Sequence, residues 1–167
     1  MLPPGDIRNC LVALADSGPV MQELMQYRFA EGEFAGHSFG NLFIMVLTNL
    51  REDFGQAILE SNRILSVRGR VLPATLDRVS LVANHPDGTK TTGQRMIAEC
   101  GKPIAELELK PRGGSAPPDV IAALQAAELI VLGPGSLYTS VLPPLLEEDI
   151  AQTIRSSRAV KIFVINT

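Results

Sequence analysis

The stretch from Leu129 to Ser140 constrains the fold of this chain more than any other. Its apolar run, Leu129 to Leu132, predicts a strand of a parallel sheet that is covered on both faces. Gly133 and Gly135 then allow a tight turn, and the residues that follow predict the start of a helix. This order is typical of an open α/β sheet, in which ligands bind beyond the carboxyl ends of the strands.

The residues of this turn, 133–140, are called the glycine turn below. Their hydroxyl groups lie close to the free N–H groups of the predicted helix start, where partial positive charge favours anions such as phosphate. The candidate ligand-binding residues here are Gly133, Pro134, Gly135, Ser136, Tyr138, Thr139 and Ser140. The sequence Gly-Pro-Gly-Ser matches neither the Walker pattern nor the dinucleotide fingerprint, so a simple reversal of the chain is the alternative.

The rest of the chain predicts helices first and a parallel β-α-β unit last. Val160 to Ile165 predicts the second parallel strand, after helices at about 137–146 and 148–157. Alternating strands around Asp87-Gly88 predict a small antiparallel hairpin insertion at about 76–110, with His85 exposed at its tip. The abrupt start and the stop directly after an apolar strand predict one truncated domain over 1–167.

Three polar clusters in the first half are candidate sites. Asp6, Arg8 and Asn9 precede a helix, where Asp6 is either an N-cap or part of a ligand-binding group. The Gly36–Asn41 loop opens an apolar helix, 42–50, that we expect to be buried. In this context a ligand-binding role and a structural role for His37 are about equally favoured. Arg68 and Arg70 flank a glycine. Their guanidinium groups either form bidentate hydrogen bonds with phosphate or carboxylate, or they are solvated.

Composition excludes several classes of function. The net charge is −3 without a basic run, which argues against nucleic acid as a partner. The two cysteines, Cys10 and Cys100, have no metal-ligand spacing and indicate free thiols in the cytoplasm. No apolar run reaches the length of about 18 residues that a membrane span needs, and no signal peptide is recognised. His37 and Ser38 have no identifiable acidic partner, so no catalytic residue is assigned.

Four blocks together resemble the YvcK/CofD-like family, on its YvcK (gluconeogenesis factor) side. They are Pro3–Asn9, Gly36–Leu42, Val67–Thr75 and Leu132–Ser140, in the family's order. The resemblance implies a Rossmann-like α/β fold: a parallel sheet with flanking helices and the small hairpin insertion. It also implies a ligand with a nucleoside diphosphate, held by residues of all four blocks. Outside the glycine turn these are Gly5, Asp6, Arg8, Asn9, Gly36, His37, Ser38, Gly40, Asn41 and Arg70.

YvcK-like proteins bind UDP-sugars such as UDP-N-acetylglucosamine and support cell shape and cell-wall synthesis during gluconeogenic growth. The resemblance therefore implies a nucleotide-sugar-binding regulator. CofD-like relatives instead transfer a phospholactyl group from a guanosine-diphosphate carrier to a deazaflavin, with magnesium, for which Asp6 would be a ligand here. Family members also have a glycine-rich strand and loop before, and a further segment after, the part that resembles this chain. The residues leave two further possibilities open. One is a gene product without a function of its own, and the other is a homo-oligomer.

Overall fold

The structure is a computed structural model that describes residues 5–112 and 114–165. The chain divides into two compact units, Met1–Pro73 and Ala74–Thr167. A single domain over 1–167 with an insertion at 76–110 stays a prediction, because such a division does not decide whether the units fold together. The α/β class and the parallel sheet with flanking helices are confirmed.

The described part of the N-terminal unit consists of helices. They are α1 (Gly5–Leu14), α2 (Pro19–Gln26), α3 (Phe39–Arg51) and α4 (Phe54–Ile64). Their core contains Leu11, Val12, Met25, Ile44, Ile58, Leu65 and Val71. Asp53 is the N-cap of α4, since its carboxylate accepts a hydrogen bond from the Gln56 N–H at 2.7 Å. Asp6 lies inside the first turn of α1, so its prediction as an N-cap is wrong.

The predicted burial of α3 is wrong on one side. Gly40 and Ile44 are buried, but Val46 is 50% exposed and Leu50 is 67% exposed. The helix packs against α2 and α4, and its apolar sequence continues beyond the side that these helices cover. An all-round apolar pattern predicts burial, but burial depends on what packs there.

The C-terminal unit begins with a three-stranded antiparallel sheet. Its elements are β1 (Ser80–Asn84), β2 (Lys90–Thr92), α5 (Gln94–Glu99) and β3 (Glu106–Lys110), and the strand order is β2-β1-β3. The hairpin at Asp87-Gly88 is confirmed, while α5 was not predicted. His85 is only 5% exposed because its ring bridges the Pro103 carbonyl and the Thr91 hydroxyl, each at 2.8 Å. The predicted exposure of His85 is therefore wrong.

The parallel pair completes the C-terminal unit. Its elements are α6 (Pro118–Ala126), β4 (Leu129–Leu132), α7 (Glu148–Ser156) and β5 (Val160–Phe163). β4 and β5 pair in parallel from Leu129↔Val160 to Leu132↔Phe163, as predicted. Ile130 is buried against side chains of α6 and α7.

The opposite face of β4 and β5 is open, so the predicted coverage of both faces is wrong. This open face consists of Leu129, Val131, Val160 and Ile162, which are 52%, 49%, 63% and 45% exposed. Their pairing puts them side by side, because alternate residues of a strand share a face. Within the described ranges, every helix is too short or too polar to cross a membrane.

Candidate anion-binding site

The predicted site residues fall into two groups, one in each unit. Residues 5–70 belong to the N-terminal unit, and the glycine turn belongs to the C-terminal unit. The N-terminal group contains the stronger arrangement of charge, around the first turn of α3.

Gly40 allows Arg8 to lie across the start of α3. A Cβ atom at Gly40 would lie 2.5 Å from the Met25 carbonyl oxygen and 2.9 Å from Cγ and Cδ of Arg8. Contacts this short do not occur, so a glycine at this position is what permits the approach. The structure thus brings the predicted residues Arg8 and Gly40 together.

The loop before α3 is held in place by backbone hydrogen bonds. Ser38 is fully buried and caps the helix, since its Oγ accepts from the Asn41 N–H at 3.3 Å. The Phe39 N–H donates to the Tyr27 carbonyl at 2.8 Å, and the Phe29 N–H donates to the His37 carbonyl at 3.0 Å. This gives Ser38 and the backbone of His37 structural roles in the loop, while ligand binding by the His37 side chain stays a prediction.

Arg28 joins this group, and sequence reasoning missed it. It pairs with Ser38 through an isolated antiparallel bridge, and its guanidinium donates to the Gly36 carbonyl. Burial, and then the charge of Arg28, lower the pKa of Arg8 from its usual value. No motif marks Arg28, because its place beside Arg8 depends on how the loop folds back onto the end of α2.

Two buried polar atoms in this group have no hydrogen-bond partner in the part of the chain that the structure describes. They are Nε of Arg8 and Oδ1 of Asn41. The other end of the Arg8 guanidinium donates to the Asn9 side chain at 2.7 Å. A free guanidinium N–H beside a second arginine, at the N-terminus of a helix, favours an anion such as phosphate.

The remaining N-terminal candidates are less closely placed. The side chains of Asp6, His37 and Arg70 are exposed, and Gly36 has a positive φ of 81°. Of the predicted arginine pair, Arg68 forms an ion pair with Asp16 at 2.9 Å, which agrees with the solvated alternative.

The glycine turn differs from its prediction. A Cβ atom at Gly133 would lie 2.6 Å from the Val164 carbonyl oxygen, and φ at Gly133 is 85°, so strand packing explains this glycine. The residues after it form a five-residue π-helical turn, Leu137–Val141. The N–H groups of Ser140 and Val141 both donate to the Ser136 carbonyl, as in the body of a helix. The free donors that the sequence predicts belong to the residues before Ser140, so anion binding at this turn stays a prediction.

A hydrogen bond inside the glycine turn joins two of its hydroxyl groups. The buried Thr139 donates to Oγ of Ser136 at 2.8 Å, and its carbonyl accepts from the Gln94 side chain at 3.0 Å. Gly135 has only ordinary contacts, 3.4 Å from Val141. Packing alone therefore does not require Gly135, whereas it does require Gly133. Pro134 and Tyr138 are exposed.

Magnesium, which the transferase alternative implies, does not fit Asp6. Asp6 is exposed, and it belongs to no group of three or more His, Cys, Asp or Glu side chains among the described residues, so a Mg²⁺ ion there would have few protein ligands. Mg²⁺ in phosphoryl-transfer sites is usually bound by one or two carboxylates together with substrate phosphates. Magnesium bound at Asp6 therefore has no part in the function proposed below. A surface hollow along α6 and α7, lined by Gln125, Thr153 and Ser156, contains none of the predicted site residues.

Comparison with known proteins supports a single family. The CofD family model, described as 2-phospho-L-lactate transferase CofD, matches residues 1–167. A putative gluconeogenesis factor from Nostoc sp. is 47% identical over 99% of this chain and 37% of its own length. The gluconeogenesis factor from Bacillus subtilis is 42% identical over 98% of this chain and 52% of its own length.

Solved structures agree with these relatives. A UPF0052-family protein from Bacillus halodurans superposes with a TM-score of 0.92 at 43% identity, over 98% of this chain and 53% of that one. The chain thus spans about half the length, or less, of the proteins it matches. Since the family model covers every residue and these relatives agree with it, this chain belongs to the CofD family.

Proposed function

We propose that this chain provides a diphosphate-binding part of a nucleotide-sugar-binding regulator related to the gluconeogenesis factors. The ligand we propose is a UDP-sugar such as UDP-N-acetylglucosamine. The proposed role is regulation of gluconeogenic growth, cell shape and cell-wall synthesis, without turnover of the ligand. The names of the curated relatives support the link to gluconeogenesis.

The observation that carries the proposal is the unpaired positive charge at the start of α3. The Nε atom of Arg8 is buried without a partner, and the charge of Arg28 acts on the same guanidinium. No salt bridge in the described ranges involves either arginine, so no carboxylate compensates them. A diphosphate would neutralise both charges and accept from the free N–H group.

The neighbouring amide fits the sugar part of such a ligand. The side-chain oxygen of Asn41, in the first turn of α3, is buried without a partner among the described residues. A ligand hydroxyl would donate to it, and an unmade hydrogen bond at a buried amide costs about 1–3 kcal/mol. The proposed site thus has a cationic end at Arg8 and Arg28 and an uncharged amide end at Asn41.

The test is binding of UDP and UDP-N-acetylglucosamine to the chain, measured by calorimetry and by thermal shift. Arg28→Ala should weaken binding by roughly tenfold or more, because a charge-assisted hydrogen bond contributes about 1.5–3 kcal/mol. Arg63→Ala is the matched control, since that arginine is exposed on α4 and pairs only with Glu60 at 3.5 Å. Equal affinities for the wild type, Arg28→Ala and Arg63→Ala would exclude this site.

Membership of a family described as 2-phospho-L-lactate transferase CofD favours a second candidate, a phospholactyl transferase acting on a nucleoside-diphosphate carrier and a deazaflavin. Transfer of a phosphoryl-linked group depends mainly on positioning and on neutralising charge, which the same arginines would provide. Formation of the transferred product from the two substrates would favour the transferase over the regulator. Binding of UDP-N-acetylglucosamine without any product would favour the regulator.

A further inference from the structure

A buried carboxylate in the C-terminal unit has no role in the proposed function. Glu147, directly before α7, is 4% exposed, and its Oε1 atom has no hydrogen-bond partner among the described residues. A buried carboxylate without a partner costs much free energy unless a cation or a proton compensates it. The groups around Glu147 indicate whether a cation or a proton compensates its charge.

A second carboxylate faces the same point in space. A Cβ atom at Gly114 would lie 2.9 Å from Oδ2 of Asp77, 3.2 Å from Oε1 of Glu147 and 3.3 Å from Oε2 of Glu147. Gly114 therefore leaves a small cradle, bordered by oxygen atoms of both carboxylates, that any other side chain would fill.

Further oxygen atoms lie beside this cradle. The Thr75 hydroxyl accepts a hydrogen bond from the Asp77 N–H at 3.2 Å, which holds the two residues together. Asp77 is exposed whereas Glu147 is buried, so the cradle is accessible from the Asp77 side. Neither carboxylate takes part in an ion pair within the ranges that the structure describes.

The electrostatics agree with an uncompensated pair of acids. Burial, and then the charge of Asp77, raise the pKa of Glu147 above its usual value. A hydrogen bond to the Thr75 side chain offsets part of this rise, and Asp149 makes a smaller contribution that raises the pKa. A cation in the cradle would reverse this influence, since opposite charge favours the ionised form. Carboxylate and hydroxyl oxygens are ligands for hard cations, whereas softer metals prefer nitrogen and sulfur.

We propose that Asp77 and Glu147 bind a hard divalent cation, Mg²⁺ or Ca²⁺, in the cradle above Gly114. Two protein carboxylates suffice for such a site, because Mg²⁺ keeps several of its waters and Ca²⁺ accepts a variable ligand number. The site lies in the C-terminal unit and does not depend on the proposed nucleotide ligand. It would stabilise the start of α7, where Glu147 is the N-cap residue.

The experiment adds Mg²⁺ or Ca²⁺ alone to the metal-free chain at neutral pH and measures the melting temperature and the heat of binding. The wild type should be stabilised by one of the two ions, and the responses to each identify which one. Asp77→Asn and Glu147→Gln should each weaken binding of the cation by about tenfold or more. Even the loss of a group that only orients a metal ligand lowers metal affinity by about tenfold. Glu148→Gln is the matched control, because this neighbouring glutamate is exposed and bonds only Gln152.

A further variant separates loss of the site from loss of the fold. Gly114→Ala keeps both carboxylates but puts a methyl group into the cradle, so it should abolish the response to the cation while circular dichroism stays unchanged. A wild type that responds to neither ion would overturn the proposal. If, in addition, Glu147→Gln leaves the melting temperature of the cation-free chain unchanged at neutral pH, a proton already neutralises Glu147 and the proposal is wrong.

Discussion

At the scale of single residues, the start of α3 depends on the missing side chain of Gly40. This glycine lies against the backbone of α2, and Arg8 covers it from α1. The steric contact with the Met25 carbonyl cannot be relieved by rotating a side chain, because the obstructing atom belongs to the backbone. The same residue thus serves packing and the placement of the Arg8 guanidinium.

Gly40→Ala should lower the free energy of unfolding by about 1–3 kcal/mol, the usual cost of overpacking. Gly5→Ala is the matched control, since a Cβ there meets nothing within 4 Å. Urea denaturation followed by helical circular dichroism measures both variants. Equal stabilities of Gly40→Ala and Gly5→Ala would show that α2 and α3 adjust freely around this position.

At the scale of elements, the antiparallel sheet gathers positive charge around one glutamate of β3. Glu108 accepts from Arg112 at 2.8 Å and from the Asn84 amide at 3.3 Å, and Lys110 approaches it at 3.3 Å. The hydrogen bond from Arg112 is the main reason that the pKa of Glu108 is lowered to about 2 from 4.5. The Asn84 amide of β1 and the charged groups of β3 and of the segment after β3 therefore act as one network.

A lowered pKa makes this network dependent on acid. The native state binds the Glu108 proton less tightly than the unfolded state, so its contribution is complete above pH 4.5 and is lost as the pH falls toward 2. The stability difference between the wild type and Glu108→Gln should therefore shrink over this range. Glu128→Gln, which alters an exposed glutamate that forms no ion pair among the described residues, is the control. A difference that is constant with pH would contradict the network.

At the scale of the whole molecule, the open face of β4 and β5 is a contiguous apolar surface that the described residues leave uncovered. Leu129, Val131, Val160 and Ile162 form it, each about half exposed or more. Contiguous apolar surface of this kind promotes association, and an uncovered parallel pair also offers free strand edges. The expectation of a homo-oligomer stays a prediction.

Ile162→Lys should reduce self-association of the chain, because it puts a charge into the middle of the open face. Sedimentation velocity at several protein concentrations measures the effect. Gln125→Lys adds the same charge at an exposed position of α6 and should leave association unchanged. If both variants associate as strongly as the wild type, another surface mediates the contact.

Part of the candidate site was predictable because its signals are local. The parallel strands and the Asp87-Gly88 hairpin follow from apolar runs and turn residues that act over a few positions. The start of α3 was also found, since a Gly-His-Ser loop before an apolar helix is unusual in sequence. Arg28 was not, because no spacing relates it to Arg8.

The sequence by itself determined the local backbone: where strands and helices form, and that β4 and β5 run in parallel. Only the tertiary structure decided which of their faces are covered, since burial depends on segments that are distant in sequence. It replaced a predicted helix with a π-helical turn and a 3₁₀ helix at Pro143–Leu146, where prolines cannot donate the required bonds. It also brought Arg28 to Arg8 and Asp77 to Glu147, because charge becomes informative only when folding fixes the distances between side chains.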